Sequence, residues 1–318
     1  MNPSHRWGQG IPASNRYARK SRVMSPSTTR NILITGASTG IGRASAVDLS
    51  SRGYRVFGSV RKEADAASLR EATPAGALPI EPLLFDVTDT DGVRAGAARL
   101  EELLQGEGLH ALVNNAGVAI AAPLEYIPLE DFQLQMDINM TGVLRCTQAF
   151  LPALKRARGR IINISSLAGR LAFPLAGPYH SSKHALEGFS DVLRMELRRH
   201  AIDVVVIQPG AIQTEIWDTA AAKSSDIRKR LSDQAIDEYG RLIDQVGKAA
   251  ANAGANGEPV SLCADVVRRS IEAKRPKTRY IVGRDGKIAL FLRRILSDRR
   301  MDRIIGKGLD LEERVKKD

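Results

Sequence analysis
Ser166 lies thirteen residues before Tyr179, and Lys183 follows that tyrosine by four. Four residues is about one helical turn, so the phenol and the ammonium project from the same face of one helix. A phenol ordinarily ionises near ~10, too high to exchange protons readily at neutral pH. An ammonium beside it favours the phenolate and lowers that value. A hydroxyl placed opposite, from Ser166, holds a carbonyl oxygen while the tyrosine donates its proton. These groups can reduce a ketone or aldehyde, or oxidise an alcohol, once a hydride donor sits nearby.

A site for such a donor stands near the start of the chain. Residues 31–35 (Asn-Ile-Leu-Ile-Thr) form a compact apolar run ended by glycine, the mark of a short buried strand. Thr35-Gly36-Ala37-Ser38-Thr39-Gly40-Ile41-Gly42 follows, then a helix predicted to run to about Arg52. Glycines let backbone approach a dinucleotide closely, and free amides at the helix N-terminus attract its pyrophosphate. The spacing is GxxxGxG, which alone also fits a plain turn before a helix. Asn114-Asn115-Ala116-Gly117 closes a second apolar strand, Ala111 to Val113, where the chain leaves the sheet beside such a cofactor. An ordinary Asn-Gly-type turn is the simpler alternative there. Ser166 ends a third strand of this kind, Arg160 to Ile164.

The strand from Tyr54 to Val60 runs into Arg61-Lys62, where NAD-preferring sites place an acid for the ribose hydroxyls. The Arg61 guanidinium instead suits a 2′-phosphate in forked geometry. NADP(H) is therefore expected in preference to NAD(H), against the competing reading of Arg61 as a solvated loop residue.

Around these motifs, apolar strands at 31–35, 55–60, 80–85, 109–114, 159–165, 202–208 and 279–282 alternate with helix-like segments. Such alternation predicts a parallel, doubly wound α/β sheet, and 318 residues suffice for one large domain of this kind. There is no internal repeat, and no apolar run approaches the ~20 residues of a membrane span. Cys146 and Cys263 fall in helix-like stretches and are expected to pack as small hydrophobes, with a reducing cytosol the simplest setting. The net charge of +11 is unevenly spread: residues 1–30 carry six Lys/Arg and no acid, and residues 274–318 carry fifteen against seven Asp/Glu. The remaining core is slightly acidic, which argues against nucleic-acid binding by it.

In order and mutual spacing the motifs resemble the short-chain dehydrogenase/reductase family, over roughly residues 30–285. The matching positions are the TGxxxGIG run at 35–42, Asp86, NNAG at 114–117, Asn139, Ser166, YxxxK at 179–183, and Pro209-Gly210 with Thr214. The chain is most similar to the hydroxysteroid and retinol dehydrogenase branch, above all over Gly159–Leu197. The resemblance implies a single Rossmann-like sheet of about seven strands in the order 3-2-1-4-5-6-7, with helices on both faces and a helical C-terminal extension. It makes Tyr179 the general acid in reduction and the base in oxidation, with Lys183 lowering its pKa and holding the nicotinamide ribose. Ser166 polarises the substrate oxygen, Ser165 being the alternative serine, and Asn139 holds a relay water. A backbone-satisfied polar group or a kink is the other reading of Asn139.

For the cofactor the resemblance implies Gly36, Ser38, Thr39, Gly40, Ile41 and Gly42 on the first turn, with Arg61, Asp86 and Val87 beyond the next strands. Asn115, Ala116, Gly117, Tyr179, Lys183, Pro209, Gly210, Ile212 and Thr214 complete that set. Asp86 contacts the adenine ring or, alternatively, caps the helix starting near Asp89. His180 and His184 are read as helix-surface residues, and no metal is needed.

The segment 212–260 is expected to be a mostly helical lid whose apolar residues suit a hydrophobic substrate or its own packing. Residues 286–318 form a basic, amphipathic helical extension, read either as a peripheral membrane contact or as packing on the core or a second subunit. Residues 1–29 are expected to be disordered, with Met24 an alternative start. The leading expectation is a cytoplasmic NADP(H)-dependent oxidoreductase acting on a small apolar carbonyl or alcohol of steroid, retinoid or lipid type. It is expected to bind no nucleic acid and to be open to homo-oligomer formation. The alternatives are a 3-ketoacyl-thioester reductase and a catalytically silent dinucleotide sensor, the latter opposed by every reactive position being filled.

Overall fold
The computed structural model describes residues 30–309, so the expectations for residues 1–29 and the last nine residues lie outside it. The seven strands are β1 (Asn31–Ile34), β2 (Arg55–Val60), β3 (Glu81–Leu84), β4 (Ala111–Asn114), β5 (Arg160–Ile164), β6 (Asp203–Pro209) and β7 (Arg279–Val282). They pair in parallel in the order β3-β2-β1-β4-β5-β6-β7. This is the order the resemblance implied. Every predicted strand overlaps its element.

Short apolar runs become strands here because both faces of the sheet are covered. Successive side chains point to opposite faces, so β1 divides between two cores. Ile32 and Ile34 pack with Leu49 of helix α1 (Gly40–Ser50), Leu69 of α2 (Glu63–Glu71), and Cys263 and Val267 of α9 (Val260–Glu272). Leu33 packs the other way with Phe57, Leu112 and helices α3 (Thr90–Leu104), α5 (Gly142–Ala157) and α6 (Gly177–Leu197). Phe57 and Phe150 are sealed within that second layer, and full burial of a side chain this large contributes roughly 1.5–3 kcal/mol. Cys146 and Cys263 are buried free thiols, both pushed up to about 12 by burial, and pack as the hydrophobes expected.

The strand order reverses beside β1 and β4, which opens a crevice at their carboxyl ends, the usual ligand position in such sheets. The helical stretch over 129–157 is α4 (Leu129–Met136) joined to α5 through a π-helical turn at Asp137–Thr141. Asn139 sits in that turn, a type of irregularity frequent at functional sites. The helical lid is α7 (Ile216–Lys229) and α8 (Asp233–Ala255). The C-terminal extension holds α10 (Arg284–Ile295) and α11 (Asp298–Gly308). Among the described residues, no helix is long and apolar enough to cross a membrane.

Candidate active site
The glycine-rich turn between β1 and α1 is built around backbone that tolerates no side chain. Gly36 and Gly40 have φ of +64° and +53°, the left-handed region that favours glycine. A Cβ at Gly42 would lie 2.3 Å from the Gly36 carbonyl oxygen and 2.5 Å from Asn115 Nδ2. Ser38 and Thr39 bridge the turn, with Thr39 the extended residue before α1, and Ile41 lies in the first helical turn. The Asn115 amide donates to the carbonyls of Thr35 and Gly36 at 2.9 Å each. Thr35 Oγ1 accepts from the amides of Asn115 and Ala116 at 3.0 and 3.1 Å. The first turn and the β4 loop are therefore one locked unit.

Other expected cofactor residues converge on the same edge. A Cβ at Gly40 would meet the Thr214 side chain at 3.4 Å, and one at Gly117 would meet Asn139 Oδ1 at 3.3 Å. Val87 is buried against Gly142. Gly210, following Pro209 at the end of β6, donates to Val282 at 3.1 Å, while Ile212 is buried beneath the lid base. At the end of β2, Arg61 projects into solvent and faces Asp86 at 3.8 Å. Asp86 accepts from the amide and hydroxyl of Thr88, whereas Asp89 caps α3 by accepting from Asp91 N at 3.0 Å. The capping alternative for Asp86 is thereby corrected: α3 starts at Thr90, which puts Asp89 rather than Asp86 at the N-cap.

Left-handed glycines, close backbone approach and an exposed guanidinium at the β2 end fit a dinucleotide bearing a 2′-phosphate. Gly36 through Gly42 would take its phosphates, and Arg61 its adenosine end.

The reactive groups lie across the crevice. Ser166 follows β5 and faces Tyr179 near the start of α6, while Ser165 is turned into the core with its hydroxyl unpartnered. Lys183 is buried one turn after Tyr179, its Nζ 5.7 Å from the phenol ring centroid and 2.9 Å from the Ile164 carbonyl, to which it donates. Burial pushes the Tyr179 phenol up, with the Ser166 hydrogen bond opposing. Burial also pulls the Lys183 ammonium down to about 8, partly offset by the Glu187 carboxylate. The spacing predicted a lowered phenol; in the fold, burial raises it, and Ser166 rather than the ammonium opposes the rise.

Asn139 accepts from the Val118 amide at 2.9 Å and donates to the Val118 carbonyl and Ser182 Oγ at 3.0 and 3.1 Å. It ties the loop after β4 to α6 between Tyr179 and Lys183, the backbone-satisfied arrangement weighed against a relay. Gln135 adds a second tie, accepting from Ile120 N and donating to Val118 O, both at 2.7 Å.

His180 is not on the helix surface. It is buried, its Nδ1 donating to the Ala168 carbonyl at 3.0 Å and its Nε2 accepting from the Phe173 amide at 3.2 Å. Proximity to the loop 167–173 reverses the surface reading, whereas His184 is exposed as expected. Glu187, also passed over in the sequence, is buried behind Lys183 and accepts from Gln208 and Arg279 at 2.9 and 2.8 Å. Only a charged residue recurring on the inward face of α6 signals it.

The lid leaves and returns at one point: Glu258 donates to Ala211 O at 2.9 Å, and Gln213 to Glu258 O at 3.0 Å. Its far side packs Ile227 and Leu231 on Ile120, Ala122 and Ile127. Arg230 pairs with Asp131 at 2.6 Å beside them. Leu124 lies over Gly177, two residues before Tyr179, and Ala122 N donates to Leu175 O at 2.7 Å. Leu124 and Phe173 stay exposed and give this rim an apolar edge.

A family model described as short chain dehydrogenase matches residues 30–225. The chain is 36% identical to the NADPH-dependent 3-dehydrocapnine reductase of Ornithobacterium rhinotracheale, over 88% of this chain and 97% of that protein. It is 32% identical to human (Homo sapiens) retinol dehydrogenase 16, over 86% of each. A short-chain dehydrogenase from Burkholderia cenocepacia, solved in complex with NADP, superposes with a TM-score of 0.63 at 25% identity, covering 88% of this chain and 97% of that one.

Proposed function
As this chain belongs to the short-chain dehydrogenase family, an oxidoreductase acting on CH–OH groups with NADP(H), we propose that it interconverts an alcohol and a carbonyl on an apolar, lipid-like substrate. The observation that carries the reading is the meeting of Ser166, Tyr179 and Lys183 beside the glycine cradle, under a rim formed by Leu124 and Phe173. The relatives named for retinol and for 3-dehydrocapnine support the same substrate class.

When bound, the nicotinamide supplies or accepts the hydride. Ser166 holds the substrate oxygen, and Tyr179 gives its phenol proton to that oxygen as charge develops there. Lys183, one helical turn away, sets the local field and would hold the nicotinamide ribose. Asn139 and Ser182 keep α6 at a fixed height, so the phenol stays aimed at the crevice. The lid base and the apolar rim would shield the reacting centre from water once an apolar substrate lies against them.

The test is turnover of NADPH and NADH with steroid ketones, retinaldehyde, medium-chain aldehydes and acetoacetyl thioesters, using Tyr179→Phe as control. We expect NADPH-dependent reduction of an apolar carbonyl. The variant should lose at least ~10²-fold in kcat while binding NADPH nearly as before. Retention of a tenth of the wild-type rate would overturn the role of Tyr179.

A further inference from the structure
The two last helices are attached at one end and open on the other. A Cβ at Gly286 would meet Leu167 Cδ1 at 2.8 Å and Ile281 Cγ2 at 3.3 Å, so α10 starts against the turn that follows Ser166. Arg293 pairs with Asp298 at 2.8 Å, which braces α10 on α11, and Met301 is the buried anchor of α11. The outward side carries Ile288, Phe291 and Ile295, which are 60%, 62% and 58% exposed, with Ile304 of α11 at 50%. Ile288, Phe291 and Ile295 follow the three- and four-residue steps of one helical stripe. Residues 286–308 carry seven Lys/Arg against two Asp, a surplus of five positive charges in two helices.

Those two properties together select the occupant. A second copy of this face would bring like charge against like charge, which opposes the apolar contact. Nucleic acid would satisfy the cations and leave the apolar stripe in water. A bilayer surface containing anionic phospholipid satisfies both, because apolar side chains enter the headgroup boundary while Lys and Arg stems reach outward to phosphate. We propose that α10 and α11 form a peripheral docking surface for anionic phospholipid membranes. Its root at Leu167 sets the substrate crevice beside the bilayer, while the binding itself is independent of which substrate is turned over.

The test is flotation of the full chain with vesicles of phosphatidylcholine alone or mixed with phosphatidylserine, at low and high salt. We expect binding to the mixed vesicles that falls sharply with phosphatidylcholine alone or at high salt, each basic group near the surface strengthening it roughly fivefold. Phe291→Gln combined with Ile295→Gln should weaken binding by about tenfold or more. Both positions are exposed, so its melting temperature and its solution turnover of a water-soluble carbonyl should match wild type. Equal recovery of wild type in the soluble fraction with both vesicles overturns the proposal. So does undiminished binding by the double variant, which would assign the contact to the basic termini. A concentration-dependent dimer lost in the variant, without vesicle binding, would make the face a contact between copies instead.

Discussion
Replacing His180 with leucine should uncouple the substrate-side loop from α6, and the pH dependence of stability should reveal it. The imidazole makes two main-chain hydrogen bonds, a buried one to the Ala168 carbonyl and a part-buried one from the Phe173 amide. A buried polar group left unpaired costs roughly 1–3 kcal/mol. Phe173 is 47% exposed, so its amide can regain water, and the Ala168 carbonyl dominates the expected loss of about 1–3 kcal/mol at neutral pH. Both bonds require the neutral ring with its proton on Nδ1; a proton added at Nε2 would confront the Phe173 N–H. Burial holds the His180 pKa below its ordinary value, helped by neighbouring His184 and opposed by the backbone bonds to Ala168 and Leu171. The unfolded chain takes up this proton near ~6.5, and the folded chain only at lower pH. Between those two values the unfolded state binds more protons, so stability rises with pH by at most about 1.4 kcal/mol per unit. The contribution is complete above the unfolded value and is lost as pH falls toward the folded one. Denaturant unfolding at about pH 7.5, 6.5 and 5.5 should show the gap between wild type and His180→Leu narrowing as pH falls. His110, also lowered by burial, is common to both proteins and cancels. A gap that stays constant, or widens toward acid, would refute the argument.

Gly42→Ala sets a methyl group 2.3 Å from the Gly36 carbonyl oxygen, a main-chain atom that cannot swing aside as a side chain could. Overpacking of about 1–3 kcal/mol should appear as a loss of NADPH affinity of about tenfold or more in a fluorescence titration; an unchanged Kd would contradict the cradle. Arg61→Ala should weaken NADPH by about tenfold and leave NADH binding unchanged, as removal of a charge-assisted bond to one phosphate requires. Arg61 is largely exposed and its Asp86 contact is 3.8 Å, so the melting temperature should hardly move. Equal loss of both cofactors would remove the 2′-phosphate assignment.

The strands were legible because a short run such as Ile-Leu-Ile before a glycine can satisfy both faces of a covered sheet and little else. The pairing of Tyr179 with Lys183 was legible for a related reason: both lie on one helix, so their spacing alone fixes a shared face. His180 was misread because its partners are main-chain groups of an irregular loop, which no side-chain pattern records. Glu187 was passed over because Arg279, which makes its burial tolerable, lies 92 residues away and meets it only once β7 joins β6. The lid was legible as helix but not as a docked element. Its contact with Ile120 and Ala122 depends on the path of the β4 loop, held by Gln135 and Asn139.

The same burial explains why the Tyr179–Lys183 pair differs from its reading as a sequence. Attraction between an ammonium and a phenolate requires both charges, and desolvation opposes each of them. Tyr179 accordingly sits above its ordinary value, and Lys183 falls to about 8. Lys183 Nζ is turned to the Ile164 carbonyl, and Ser166 is the group that opposes the rise of the phenol. Glu187 stands behind the lysine and limits its fall, braced from β6 and β7 by Gln208 and Arg279. A phenol that keeps its proton at neutral pH is already in the state an acid requires. Reduction can therefore use Tyr179 as it stands, whereas oxidation must first take that proton away against the desolvation of the site. On the proposed roles, the buried geometry favours carbonyl reduction near neutral pH and draws alcohol oxidation toward higher pH.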